Sequence, residues 1–198
     1  MVFAAASAEG VVREAALSFE EKEGVRVLVH ASGSTRLRTQ ILRGAPADLY
    51  VAAGPIDLPG FVEVVAVNRM VAVVPVDAEE VDWHRAKKIA LADPDFAPAG
   101  VYARRILERE GFQGEWIYGG HVRAVLAYVE LGLVDVGFVY RSDVSHRVRV
   151  VASFPDPVEY EAMALSDRES ALRFLSFLKK LDPTPTLGVL WTAKSEWF

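Results

Sequence analysis

The residues of this chain best suited to chemistry are hydroxyls and glycines gathered just after short apolar runs, and their type points to an anion held by neutral donors. Ser7 follows Val2-Phe3-Ala4-Ala5-Ala6, Ser32-Gly33-Ser34-Thr35 follows a second apolar run, and Ala52-Ala53-Gly54 ends a third. Further along, Pro98-Ala99-Gly100 and Gly120-His121-Val122 each open a helical pattern. The first turn of a helix has unpaired N–H groups and about half a positive charge, so it either takes a capping side chain or cradles an anion. Taken singly, each turn is an ordinary helix start, and Ser7 reads first as an N-cap. Pro98 suits the first helical position and leaves the N–H groups of Ala99 and Gly100 to point outward. Tyr140 ends an apolar run, where a buried phenol needs a partner either within its own lobe or in a ligand.

These turns must be positioned by the elements around them, and the pattern is strand and helix in alternation. Apolar runs at Val2 to Ala6, Val25 to His30, Asp48 to Ala52, Val62 to Val67 and Arg69 to Val74 are short enough for buried parallel strands. Between them, Ala8, Val11, Val12, Ala15, Ala16 and Phe19 form one helical stripe, and Arg36 to Leu42 reads as a second helix. Near Pro75 the pattern breaks, and a second unit follows. It has strands at Ile89 to Ala92, Glu115 to Tyr118 and Val134 to Val139, and helices at Pro98 to Glu110 and His121 to Leu131. Strands Val148 to Ser153 and Val158 to Leu165, separated by Pro155-Asp156-Pro157, lead to a helix over Asp167 to Lys180 and a last apolar segment, Leu187 to Trp191.

The fold class is therefore α/β, with two lobes, each a mostly parallel sheet flanked by helices, joined by two hinge crossings. Residues 1–74 and 155–198 make lobe I and residues 75–154 make lobe II, with a ligand cleft between them. Ligands of open α/β sheets sit beyond the carboxyl ends of the strands, where the small and hydroxylic turns of this chain fall.

Composition narrows the ligand further. A formal charge of −5 argues against nucleic acid or an anionic membrane as partner. Four scattered histidines and no cysteine exclude disulfides and thiolate metal sites and give no zinc spacing. No run approaches a membrane span, and no basic-then-apolar leader precedes Val2. Neutral donors also favour a fully ionised anion, because an N–H group cannot accept the proton of a protonated one.

Four stretches carry a resemblance: Val-Phe-Ala-Ala-Ala-Ser at 2–7, Gly-Ala-Pro-Ala-Asp-Leu-Tyr at 44–50, Asp-Pro-Asp-Phe-Ala-Pro-Ala-Gly-Val-Tyr-Ala at 93–103 and Val-Gly-Phe-Val-Tyr-Arg-Ser-Asp at 136–143. In this order they resemble the bacterial molybdate- and tungstate-binding proteins of ABC transporters, a branch of the two-lobed solute-binding proteins. The resemblance implies hydroxyl contacts from Ser7 and Ser34, backbone contacts from Ala53, Ala99 and Val122, and a phenol donor in Tyr140. Ser32 competes with Ser34 if the turn shifts. It also implies a monomer outside the cytoplasm that binds a tetrahedral oxyanion and presents it to a membrane permease. No cofactor is expected, and metal enters only as the oxyanion. Two departures stand out: His121 occupies a position usually acidic or amidic and reads as solvated, and the stretch between Pro75 and Ala90 is short.

Sulfate, phosphate or ferric-ion binding by a similar lobe pair is the near alternative, and an effector-binding lobe pair of a regulator would come with a helix-turn-helix that is not seen here. A hydrolase would draw on Ser7 or Ser34 with His30 or His121 and an aspartate such as Asp48, Asp93 or Asp143. The chain has no Gly-x-Ser-x-Gly elbow to support it.

Overall fold

Strands and helices build residues 1–181, the part of the chain described by the computed structural model. In order they are β1 (Val2–Ala5), α1 (Glu9–Glu23), β2 (Val29–Ser32), α2 (Ser34–Leu42), β3 (Leu49–Ala53), β4 (Val62–Pro75), β5 (Lys88–Ala92), α3 (Pro98–Arg109), β6 (Glu115–Gly119), α4 (Val122–Glu130), β7 (Val136–Tyr140), β8 (Val148–Ala164) and α5 (Glu169–Lys179). The apolar segment expected at Leu187 to Trp191 lies outside the described residues. The chain divides into two compact units: Met1–Asn68 with the chain from Glu159 on, and Arg69–Val158.

In the first unit the strand order is β2-β1-β3-β8. β1 runs parallel to β2 and β3, and β8 lies antiparallel to β3, with Ala53 opposite Tyr160. Both faces are covered, which is why these strands read as unbroken apolar runs instead of alternating ones. On one face Val12, Ala15, Ala16 and Phe19 of α1 and Phe174 and Leu178 of α5 pack on Ala4, Leu49 and Val51, with Phe19 and Phe174 edge to face at 5.1 Å. On the other face Leu37 of α2 covers Phe3, Tyr50 and Ala52.

The second unit repeats the plan as β6-β5-β7-β4: β5 is parallel to β6 and β7, and β4 is antiparallel to β7. Ala103, Ile106 and Leu107 of α3 and Val125 and Val129 of α4 fill its core. An element without a sequence counterpart, a 3-10 turn at Trp83–Arg85, drops Trp83 into that core, where its ring meets Phe138 at 5.6 Å and Phe154 at 5.7 Å.

Several boundaries differ from expectation. β2 begins at Val29, four residues later than the apolar run, because its neighbour β1 begins at Val2, which pairs with Val29. Val25 and Val27 pack on the core without a ladder partner in β1. β4 is one strand through Asn68 and Arg69, where two were expected. The buried Asn68 amide donates to the Tyr160 hydroxyl at 3.2 Å and so need not turn the chain. β8 likewise runs through Pro155-Asp156-Pro157. Prolines two apart lose N–H groups on the same edge of a strand and leave the other edge able to pair. With both strands unbroken, no change of composition marks the division. It falls after Asn68 and after Val158, not at 74/75 and 154/155.

Candidate functional site

Three of the expected residues belong to the first unit. Ser7 does not cap α1, because the 3-10 turn Ala6–Ala8 intervenes and moves the N-cap to Ala8; neither helical start has a side-chain cap. The Ser7 hydroxyl thus stands half-buried at the carboxyl end of β1, without the structural task a serine there usually performs.

Ser34 is held from two sides. α2 starts two residues earlier than its sequence pattern, with Gly33 as an extended N-cap and Ser34 as the first helical residue, while Ser32 ends β2 opposite Ala5. Ser34 is 8% exposed. Its Oγ accepts the Ala53 N–H at 3.1 Å, and its carbonyl accepts the Tyr50 hydroxyl at 2.8 Å. The backbone donor expected of Ala53 therefore goes to a protein hydroxyl in this structure. One lone pair of Ser34 Oγ is occupied, and its O–H remains available to donate. Burial pushes the Tyr50 phenol up to about 12, outweighing the lowering by the Ser34 side chain and the Arg38 charge, so it is a donor at any physiological pH. Arg38, one turn along α2, is committed to Asp57 by bonds of 2.6 Å to the carboxylate and 2.9 Å to the carbonyl.

The other three belong to the second unit, at the ends of its strands. Pro98 is the first residue of α3 after the extended N-cap Ala97. The Gly100 N–H turns back to the Ala97 carbonyl at 2.9 Å, so of the two donors expected there only Ala99 keeps its N–H without a partner among the described residues. Gly100 is required for close approach: a Cβ there would lie 2.1 Å from the Ala92 carbonyl oxygen and 2.6 Å from the Pro94 nitrogen. Packing with no side chain between them sets the start of α3 directly on the end of β5.

Val122 opens α4, and its N–H likewise has no partner among the described residues. His121 is exposed, as expected, and it also caps this helix. Its backbone is extended, and its ring Nδ1 accepts the Ala124 N–H at 3.1 Å, a bond that requires a lone pair on that nitrogen. Tyr140, 2% exposed, ends β7 opposite Met70. Three residues on, burial pushes the Asp143 carboxyl up to about 6 against the opposing Arg123 charge, and its Oδ2 has no hydrogen-bond partner among the described residues.

Comparison with known proteins places this arrangement. A family model described as bacterial extracellular solute-binding protein matches residues 1–182. The chain belongs to that family. A curated member, the molybdate-binding protein ModA of Escherichia coli (strain K12), is 31% identical over 90% of this chain and 82% of its own length. The solved substrate-binding domain of a putative molybdenum ABC transporter from Clostridium difficile is 25% identical, with a TM-score of 0.73 and 90% of each chain covered. The periplasmic molybdate-binding protein of Azotobacter vinelandii shares the fold at 20% identity, with a TM-score of 0.74 over 91% of this chain and 93% of that one. The relation to molybdate-binding proteins expected from the four motifs is thus borne out.

Among the described residues neither serine bonds a histidine: His30 Nε2 lies 3.3 Å from Gln40 Oε1, and His121 is occupied as a cap. No helix of the described residues is long and apolar enough to cross a membrane. Tyr50 is the residue that sequence reasoning passed over, whereas Gly100 was expected as a donor and serves instead by its missing Cβ. Tyr50 had a signal: an interior strand tyrosine must place its hydroxyl, the argument already applied to Tyr140.

Proposed function

We propose that this protein binds molybdate or tungstate as a divalent tetrahedral oxyanion, using donors from both units, and delivers it outside the cytoplasm to the permease of an ABC transporter. Ser7, Ser34 and Tyr140 supply hydroxyls, and Ala99 and Val122 supply backbone N–H groups. Ala53 acts behind Ser34. The observation that carries the reading is the state of the Ser34 hydroxyl: Ala53 N–H occupies its acceptor side, which favours its use as a donor toward an anion. The relatives named for molybdate support molybdate as that anion.

The energetics suffice without a charged side chain. A hydrogen bond to a charged partner contributes about 1.5–3 kcal/mol and a helix N-terminus about 0.3–1 kcal/mol, so about half a dozen donors offset the ordering cost and reach micromolar to nanomolar affinity. An all-donor lining disfavours an anion that still carries a proton. The binding needs no cofactor, the protein acts as a monomer, and no reaction is catalysed. Calorimetric titration with molybdate, tungstate, sulfate and phosphate tests the proposal. Tight 1:1 binding of molybdate and tungstate supports it, and binding of sulfate or phosphate alone overturns it.

A further inference from the structure

Two atoms of Ser34 are gripped by one strand. Tyr50 and Ala53, three residues apart on β3, donate respectively to the carbonyl and to the Oγ of the first residue of α2. Neither bond is a helix cap, since the N-cap is Gly33 and no side chain caps this helix. A carbonyl at the first helical position ordinarily serves only the N–H four residues on. The added phenol is not needed to complete the helix. Tyr50 is itself 2% exposed and packed with Phe3, Leu37 and Ala52, so its ring cannot follow a moving partner.

We propose that Tyr50 is a positioning residue for anion binding: with Ala53 it fixes Ser34 so that the serine O–H is presented as a ready-made donor. The inference rests on the reading of Ser34 as an anion contact and adds what orients it. Preorganisation of this kind raises affinity because the donor is ordered before the ligand arrives. The phenol stays protonated across the physiological range and only donates in this bond, so the constraint does not switch with pH. The Ala53 N–H, in series with the Ser34 O–H, also polarises it toward donation, while the Tyr50 bond ends on the carbonyl and acts on position alone.

A double-mutant cycle separates this role from a general contribution to folding. Molybdate affinity is measured by calorimetry for the unaltered protein, Tyr50→Phe, Ser34→Ala and the double variant, each checked for folding by thermal melting. Tyr50→Phe is expected to weaken binding about three- to ten-fold when Ser34 is present, and by less than about two-fold in the Ser34→Ala background. An equal loss in both backgrounds, or no loss in the first, overturns the positioning role. Tyr50→Met removes the same hydroxyl if Tyr50→Phe does not fold; failure of both to fold makes the hydroxyl structural and also overturns it. Ser34→Ala binding like the unaltered protein would sink the Ser34 contact and this inference with it, leaving the other donors standing. Absence of molybdate binding by the unaltered protein would sink the whole functional reading.

Discussion

The two units share one strand plan, β2-β1-β3-β8 in the first and β6-β5-β7-β4 in the second, yet under the proposed function they would offer an anion different chemistry. The first unit presents side-chain hydroxyls, Ser7 and Ser34, at strand-to-helix turns, and the best ordered of them is clamped by β3. The second presents backbone N–H groups at the starts of α3 and α4, and its supporting residues act on main-chain geometry: Pro98 at the first position, Gly100 pressed on Ala92, His121 as cap. Tyr140 adds the one expected side-chain donor there. A hydroxyl is lost with its side chain, whereas a backbone donor survives almost any substitution except one that removes the N–H or moves the helix. The two sets of proposed contacts should therefore be vulnerable to different mutations.

The contrast breaks most sharply at Gly100. Gly100→Ala drives a methyl into the backbone of Ala92 and Pro94, neither of which can swing aside, and should destabilise the protein by about 3 kcal/mol while abolishing molybdate binding. Urea unfolding and titration check this, and an unchanged unfolding midpoint would show that α3 is not seated as described. Next come matched substitutions in the two units. Ser34→Ala should cost about 1–3 kcal/mol of binding, and so should Val122→Pro, which removes a backbone N–H at a helix position that tolerates proline. Val122→Ala should stay within about 0.5 kcal/mol of the unaltered affinity. If Val122→Ala matches the loss of Val122→Pro, the contact is made by the side chain and the contrast fails.

Asp143 gives a smaller effect, with a sign that can be checked. Its folded pKa of about 6 lies above the ordinary carboxyl value of 3.8, so the native state binds the extra proton between them. Its contribution to stability is fully present below 3.8 and is lost as pH rises through about 6. Asp143→Asn should stabilise the protein at pH 7 by about 1 kcal/mol, below the roughly 3 kcal/mol ceiling set by the shift because the attraction to Arg123 is lost too. Denaturant melts at pH 4 and pH 7 should show the advantage vanish at the lower pH. Last, His121→Ala should cost about 0.5–1 kcal/mol of stability through the lost cap of α4, read from the thermal midpoint.

Much of this was legible in the chain. Alternating buried runs and helical stripes gave the α/β order, because both-face burial leaves parallel strands uniformly apolar and helices striped. The turns that hold Ser34, Ala99 and Val122 stood out because helix starts have a chemistry of their own, and the family resemblance singled out those residues within them. What escaped was set by partners distant in sequence. Asn68 and Pro155-Asp156-Pro157 look like breaks, but β4 and β8 continue through them, Asn68 with its amide on Tyr160. Ser7 looked like a cap, and only the extra turn Ala6–Ala8 moved it off that position. The destination of the Ala53 N–H was invisible, since it depends on where α2 begins relative to β3.

The central claim is that hydroxyls of the first unit and backbone donors of the second hold one oxyanion. A crystal structure of the protein with molybdate, phased on molybdenum anomalous scattering, tests it directly. The account predicts a single strong molybdenum peak whose oxygens accept from both Ser34 Oγ and the Val122 N–H. A peak bound by residues of one unit only, or one remote from Ser34 and Val122, would contradict it.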